Sequence, residues 1–188
     1  MRDNRAIFLV SGIPGAGKST VSRLLAQRFD RAVHIDADVL LRMVVSGNAW
    51  APDGPPINPL EDPGLQPEAQ AQLRLRARHA SLLADSFFAA GFTVVVDEIA
   101  IGSRLNDFQV EIKSRPLLLV TLAPRTGVVA QRDAERPGRD VFHVWAHLDE
   151  VVRRTMRDVG LWLDTSDMTP EESVAEIMRR AWSEGKLE

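Results

Sequence analysis

The chain has 188 residues, of which 45% are hydrophobic and 26% charged, and its formal net charge is −3. This length and composition predict one globular domain with a substantial core. The sequence contains no cysteine, which excludes disulfides and thiolate metal sites, and no apolar run of the length that a signal peptide or a membrane span requires. We therefore expect a cytoplasmic protein without a membrane partner.

The predicted elements alternate between strands and helices along the chain. Five short apolar runs that are rich in β-branched residues predict buried parallel strands, and helical patterns separate them. The expected strands cover residues 6–11, 32–36, 93–97, 117–122 and 161–164. The expected helices cover residues 18–29, about 67–90, 105–113, two segments between 128 and 159, and a last segment that begins at the sequence TPEES.

The last helix carries a clear start signal. Thr169 is the predicted N-cap, Pro170 suits the first turn, and Glu172 completes a capping box. Across the whole chain, strict alternation of strand and helix implies right-handed crossovers and a parallel sheet that is covered on both faces. The sequence therefore predicts an α/β fold.

The first strand runs into the sequence GIPGAGKST, which matches the P-loop (Walker A) pattern from Gly12 to Ser19. Glycines let the backbone curl so that successive N–H groups point at phosphate oxygens, and the N-terminus of the following helix adds partial positive charge. Lys18 is expected to reach the β- and γ-phosphates of ATP, and the Ser19 hydroxyl is expected to ligate Mg²⁺. The predicted nucleotide-binding residues are Gly12, Gly15, Ala16, Gly17, Lys18, Ser19 and Thr20.

The second strand ends in the sequence HIDADVLLR, in which Asp36 and Asp38 lie two residues apart. On an extended strand end this spacing points both side chains to the same side, and in a parallel sheet this end lies beside the P-loop. One carboxylate would hold Mg²⁺, directly or through water, and the other would orient or deprotonate an attacking hydroxyl group. The alternative is that the two aspartates only cap the helix that follows.

The third strand ends in the sequence TVVVDE. A hydrophobic strand that closes on an aspartate is the Walker B arrangement, which brings a carboxylate near Mg²⁺. If this strand lies next to the first one, Asp97 faces the metal. Asp97 is therefore a candidate metal ligand, and Glu98 is a candidate substrate contact.

The fourth strand is followed by the sequence VVAQRDAERPGRD, in which Arg132 and Arg136 share one helical face. Arginines on a short mobile segment can close over ATP and stabilise charge on the transferred phosphoryl group, so both are candidate catalytic residues. The alternative is a solvated helix whose arginines pair with Glu135 and Asp140. Thr165, on the loop after the fifth strand, either lines an adenine pocket that Arg132 also contacts or only starts the next turn.

One segment interrupts the alternation of strands and helices. Residues 46–67 contain six of the eleven prolines, which excludes a regular strand or helix there. A loop of this length in a compact domain is usually a lid, a binding loop or disordered. We expect one domain over residues 1–188, with a substrate-binding insertion over about 46–67 and a lid over about 128–142. Within the insertion, an exposed Trp50 would suit stacking on a substrate.

The sequences GIPGAGKST, DADVLLR, VVVDE and QRDAERPGR together resemble those of P-loop small-molecule kinases, such as shikimate, gluconate and adenylylsulfate kinases. Within that superfamily the chain most resembles chloramphenicol phosphotransferase-like proteins, over nearly its whole length. The resemblance implies a P-loop NTPase fold with a five-stranded parallel sheet of order 2-3-1-4-5, helices on both faces, and Asp97 beside the P-loop. It also implies that Asp38 is the base for the substrate hydroxyl and that Arg42 contacts the substrate.

We therefore expect an ATP-dependent phosphotransferase that acts, with Mg²⁺, on a hydroxyl group of a small metabolite or antibiotic, as a monomer or homodimer. The expected substrate contacts are Asp38, Arg42, Trp50, Glu98 and Arg104. One alternative is a nucleoside or polynucleotide 5′-hydroxyl kinase, for which the modest net charge disfavours a polynucleotide but not a free nucleoside. The other is a non-catalytic ATP-binding module, which needs no acceptor base.

Two further patterns are assigned structural roles. The basic run RLRARH covers residues 74–79, and since Arg74 and Arg78 share one helical face while Arg76 points elsewhere, we predict a solvated face. The histidines, including His34, lack the spacing of a metal site.

Overall fold

The computed structural model describes residues 5–49, 67–135 and 147–187. Trp50 and Arg136, most of the predicted substrate-binding insertion and part of the predicted lid lie outside these residues. The roles that the sequence suggests for them, and the division of the domain into insertion and lid, therefore stay predictions.

The described elements follow the predicted alternation of strands and helices. The strands are β1 Ile7–Ser11, β2 Ala32–Asp36, β3 Thr93–Asp97, β4 Leu117–Leu122, β5 Leu161–Leu163 and β6 Lys186–Leu187. The helices are α1 Lys18–Ala26, α2 Ala37–Arg42, α3 Pro67–Ala89, α4 Arg104–Glu111, α5 Thr126–Ala134, α6 His147–Thr155 and α7 Pro170–Glu184.

The sheet confirms the predicted topology. Its strands are ordered β2-β3-β1-β4-β5, and every pair along this path is parallel. The short strand β6 was not expected, and it pairs antiparallel with the start of β4. A two-residue strand has no periodic pattern of its own, so only its pairing with β4 defines it.

The core lies on both faces of the central strands. Every residue of β1, β3 and β4 is buried, because helices cover the sheet on both sides, and this explains why these strands are continuous apolar runs rather than alternating ones. On one face Phe8 packs edge-on against Trp182 of α7, with ring centroids 6.2 Å apart. None of the helices in the described part of the chain is both long and apolar enough to cross a membrane.

Helix α7 begins at the predicted capping box. The Thr169 hydroxyl accepts a hydrogen bond from the Glu172 backbone N–H at 3.1 Å, and the Glu172 carboxylate accepts one from the Thr169 N–H at 2.8 Å. Each side chain thus satisfies a backbone donor that the helix itself leaves free. The predicted start of α7 is confirmed.

The strand register brings the carboxyl ends of β1, β2 and β3 to one edge of the sheet. Asp97 at the end of β3 pairs with Val10 of β1 on one side and with Asp36 of β2 on the other. The P-loop follows β1 directly, so the acidic ends of β2 and β3 lie beside it. This edge of the sheet carries the candidate site.

Candidate active site

The P-loop connects β1 to α1 through a backbone path that requires glycine. Gly17, immediately before α1, has φ +94°, in the left-handed region that side chains disfavour. A Cβ atom on Gly12 would lie 2.5 Å from the Leu122 carbonyl oxygen, so only glycine fits this close approach to β4. The loop therefore curls tightly and presents the N-terminus of α1 to the space above it, where an anionic group is favoured.

A cavity of about 350 Å³ lies over this loop. Its walls include residues from the P-loop and from the ends of β2 and β3. The predicted side chains that meet in it are Lys18, Ser19, Thr20, Asp36, Asp38, Arg42, Asp97 and Glu98. The cavity thus combines a phosphate-binding loop with carboxylates from two neighbouring strand ends, as the sequence predicts.

Lys18 and Arg42 are cations that line this cavity together with the carboxylates, and Lys18 comes from the P-loop. Its ammonium group donates a hydrogen bond to the Ile13 carbonyl oxygen at 3.1 Å, across the base of the P-loop. Desolvation lowers the pKa of Lys18, and the negative charges of Asp97, Asp38 and Glu98 act in the opposite direction. The ammonium group is therefore held within the P-loop, beside the position where a nucleotide phosphate would bind.

Asp97 is buried, with 5% of its surface exposed, and it has a partner that the sequence did not reveal. His34 Nε2 donates to Asp97 Oδ2 at 2.7 Å, from the neighbouring strand β2. This contact fixes the orientation of the carboxylate at the end of β3. His34 was assigned only a structural role from its spacing, because a pattern in sequence does not show which strands are adjacent.

Asp36 caps helix α2. Its Oδ1 accepts a hydrogen bond from the Asp38 backbone N–H at 2.9 Å, and its Oδ2 lies 3.8 Å from Arg42 Nη2. Asp36 thus caps α2, as the alternative interpretation states, and it also lies on the cavity wall. Its predicted role as a metal ligand stays a prediction.

Asp38 lies in the first turn of α2 and projects into the cavity, with 67% of its side chain exposed. Desolvation within the cavity and repulsion from Glu98 raise the pKa of Asp38, while Arg76 and Lys18 act in the opposite direction. A carboxylate with a raised pKa is a stronger proton acceptor than an ordinary aspartate. Of the two aspartates, Asp36 is engaged in capping α2, whereas Asp38 is exposed to the cavity.

Glu98 is held by arginines from two helices. Arg76 of α3 donates to Glu98 Oε1 at 2.7 Å through Nη2, and its Nε lies 2.6 Å from Oε2. Arg104, at the start of α4, lies behind the carboxylate, with its Nη2 at 3.8 Å from Oε1. Arg104 is 6% exposed and does not line the cavity, so its predicted substrate contact stays a prediction.

The prediction of a solvated face for residues 74–79 is wrong for Arg76. Arg74 and Arg78 are exposed as expected, but Arg76 is 8% exposed. A signal for this exists in the sequence, because Arg76 falls within the apolar stripe formed by Leu73, Ala77 and Ala80 on α3. A single arginine in such a stripe indicates a buried partner, which here is Glu98.

A second cavity of about 130 Å³ lies on the other side of the P-loop. Arg132 of α5 and Thr165, which follows β5, both line it, and Arg132 Nη2 donates to the Thr165 carbonyl oxygen at 3.0 Å. Ala16 and Thr20 close the cavity on the P-loop side. Gly17 lines the cavity as well, so five of the predicted nucleotide-binding residues meet in one place, next to the loop that would hold the phosphates.

The oxygen donors in the larger cavity suit Mg²⁺. Within the described ranges, no group of three or more histidine, aspartate or glutamate side chains could hold a metal ion by itself. Mg²⁺ is commonly bound through one or two protein oxygens together with nucleotide phosphates and water. The Ser19 hydroxyl and the Asp97 carboxylate, which line the same cavity, provide such a donor set.

The sequence as a whole matches one protein family. The model of the chloramphenicol phosphotransferase-like proteins matches residues 5–183. The chain belongs to this family. Among curated proteins, no significant relative was found by sequence.

Several solved structures, among them small-molecule kinases, share the fold of this chain at low sequence identity. Shikimate kinase from Acinetobacter baumannii in complex with shikimate is 17% identical, with a TM-score of 0.62 and coverage of 96% of this chain and 95% of that one. The gluconokinase from Sinorhizobium meliloti 1021 is 20% identical, with a TM-score of 0.58 and coverage of 97% and 96%. The tunicamycin resistance protein of Deinococcus radiodurans is 18% identical, with a TM-score of 0.60 and coverage of 94% and 95%.

The family match confirms the resemblance that the motifs indicate, and the solved structures confirm the predicted P-loop kinase fold. The chain thus combines a phosphotransferase-like family sequence with the fold of small-molecule kinases. Its acceptor and the roles of individual side chains belong to the proposal below.

Proposed function

We propose that this protein is an ATP-dependent phosphotransferase that moves the γ-phosphoryl group of ATP to a hydroxyl group of a small molecule. One observation carries the proposal: the exposed carboxylate of Asp38 and the ammonium group of Lys18 share a single cavity over the P-loop. A base for the acceptor and a cation for the donor are the groups that phosphoryl transfer requires near each other. A module that only binds ATP does not need a base for an acceptor.

The donor side of the reaction is supported by both cavities. The P-loop amides and Lys18 would bind the β- and γ-phosphates, and the cavity of Arg132 and Thr165 would hold the nucleoside. Ser19 and Asp97 would hold Mg²⁺, which neutralises charge on the phosphates when bound. The sequence adds Arg136 as a second lid arginine that would stabilise charge on the transferred group.

The chemical step follows from the position of Asp38. Its carboxylate accepts the proton of the acceptor hydroxyl, whose oxygen forms a new bond to the γ-phosphorus. The bond from that phosphorus to the bridging oxygen of ADP breaks, and ADP leaves with the electron pair. Lys18 stabilises the charge that accumulates on the phosphate oxygens during transfer. Arg42, at the rim of the cavity, would contact the rest of the acceptor.

The proposal is tested by ADP release from MgATP in the presence of candidate acceptors. A suitable panel contains chloramphenicol, shikimate, gluconate and thymidine, which represent antibiotics, hydroxylated acids and nucleosides. We expect at least one compound to raise ADP release above the rate with MgATP alone, with a phosphorylated product detected by mass spectrometry. MgATP binding without acceptor-dependent ADP release would instead support the non-catalytic module.

The variant Asp38→Asn tests the proposed base. We expect it to bind MgATP with nearly unchanged affinity but to lose turnover by about 100-fold or more, because a general base typically contributes 10²–10⁴ in rate. Calorimetry measures the affinity, and a coupled ADP assay measures the turnover. Asp30→Asn, at an exposed position before β2, is the matched control and should behave as wild type. Full activity in Asp38→Asn would rule out this role.

A further inference from the structure

Arg76 contacts two carboxylates from separate elements, Asp38 in α2 and Glu98 after β3. Its guanidinium group engages both oxygens of Glu98, at 2.7 Å and 2.6 Å, after the end of β3. Its remaining nitrogen, Nη1, lies 3.6 Å from Asp38 Oδ1 in α2. Arg76 is 8% exposed, whereas Asp38 projects into the cavity. The arginine therefore connects the proposed base to the buried end of the neighbouring strand.

Stability alone does not explain this arrangement. Buried ion pairs often contribute little net stability, because the loss of hydration offsets their attraction. Glu98 already has two other partners, since the Ile99 backbone N–H donates to Oε1 at 2.7 Å and Arg104 lies 3.8 Å from the same atom. The contribution specific to Arg76 is the relative orientation of the Glu98 and Asp38 carboxylates, because a planar guanidinium group presents its donors in fixed directions.

Helix α3 also braces the chain that follows α2. One turn before Arg76, Gln72 accepts a hydrogen bond from the Ala49 N–H at 2.9 Å and donates one to the Gly47 carbonyl oxygen at 2.6 Å. Positions four apart on a helix lie on the same face. The face of α3 that carries Gln72 and Arg76 thus contacts both the proposed base and the chain that follows α2.

We infer that Arg76 is a positioning residue, which holds Glu98 and Asp38 in the relative orientation that the acceptor hydroxyl requires. This inference rests on the proposed phosphotransferase function. Arg76 does not line the cavity, and it acts through the two carboxylates. A lysine at this position would keep the positive charge but could not engage both oxygens of Glu98 while also facing Asp38.

The test compares Arg76→Lys and Arg76→Met with Arg78→Lys and Arg78→Met, because Arg78 is exposed on the same helix. Turnover is measured with MgATP and whichever of chloramphenicol, shikimate, gluconate or thymidine the wild type phosphorylates fastest. We expect Arg76→Lys to remain folded and to bind MgATP as the wild type does, with kcat reduced by about 10- to 100-fold, as small misplacements of reacting groups cause. The Arg78 variants should keep wild-type kcat.

A double-mutant cycle with Glu98→Gln adds a second readout. If Arg76 acts through Glu98, the effects of Arg76→Lys and Glu98→Gln on kcat are not additive, because both disturb one contact. Wild-type kcat in Arg76→Lys, or activity losses that only follow the loss of folded protein in Arg76→Met, would overturn the inference and leave the proposed function intact. A wild-type chain that binds MgATP but phosphorylates nothing in the panel would overturn both.

Discussion

Asp97 and Glu98 are adjacent in sequence but have different partners. Asp97 accepts a hydrogen bond from His34 of β2, whereas Glu98 binds Arg76 of α3. Successive side chains at an extended strand end point to opposite sides, so one short sequence supplies carboxylates to two environments. The partners differ accordingly: an imidazole orients the carboxylate proposed for Mg²⁺, and a guanidinium group neutralises the one on the acceptor side.

The contact between His34 and Asp97 predicts how a substitution at a single residue changes the free energy of unfolding. His34→Ala leaves a carboxylate that is 5% exposed without its hydrogen-bond donor, so we expect the free energy of unfolding to fall by about 1–3 kcal/mol. Urea denaturation with a linear fit measures the change. His79→Ala, at an exposed position on α3, is the control and should be near neutral. Equal stability of the two variants would show that the contact contributes nothing.

Among the elements, helix α7 starts at a capping box that is visible in the sequence, and its first turn forms part of the proposed nucleoside pocket. Its first residues, Pro170 and Ser173, line the smaller cavity together with Thr165. The same helix packs on α1, which carries Lys18, and on the end of the sheet. The capping box therefore fixes where the helix starts and, through that, one wall of the proposed nucleoside pocket.

Removing the cap should lower stability by a measurable amount. Thr169→Ala loses the hydroxyl that accepts the Glu172 N–H, and we expect a loss of about 0.5–2 kcal/mol. For a chain of this length, each kcal/mol corresponds to a decrease in Tm of about 2–4 °C. Thr169→Ser keeps the hydroxyl and should retain most of the stability. If serine and alanine were equally destabilising, the hydrogen bond would not be the cause.

At the scale of the whole molecule, one edge of the sheet brings together groups from distant parts of the chain. The P-loop, α2, the end of β3 and α3 meet there because the strands are parallel and the order 2-3-1 makes β3 the shared neighbour of β1 and β2. A ligand at this edge contacts several elements at once. Binding of the nucleotide should therefore stabilise the fold as a unit.

MgATP should raise the melting temperature of the wild type. At a concentration 100 times Kd, binding adds about 2.7 kcal/mol to the free energy of unfolding, which corresponds to an increase in Tm of about 5–11 °C for a chain of this length. Differential scanning fluorimetry measures the shift. Lys18→Ala should remove most of it, and EDTA should reduce it if the metal is bound with the phosphates. An unchanged Tm with saturating MgATP would contradict the nucleotide site.

Local patterns determined much of this protein from sequence alone. The predicted strands over residues 32–36, 93–97 and 117–122 coincide with β2, β3 and β4, because continuous apolar runs between turns are self-contained signals. The P-loop and the capping box of Thr169 are likewise defined by residues within one turn of each other. These patterns sufficed to indicate Lys18 and Asp38 as neighbours once a parallel sheet was inferred, whereas the place of Asp97 beside the P-loop was implied by the family resemblance.

The tertiary structure alone decided which partners hold the site together. His34 meets Asp97 because β2 and β3 are adjacent, and Arg76 meets Glu98 because α3 packs on β3 through a face of small residues. Each of these contacts joins residues that are far apart along the chain, so no local spacing records them. The sequence by itself indicated the groups that we propose for phosphate binding and proton transfer, whereas packing determined their orientation, since burial of a charge depends on where its partner lies in space.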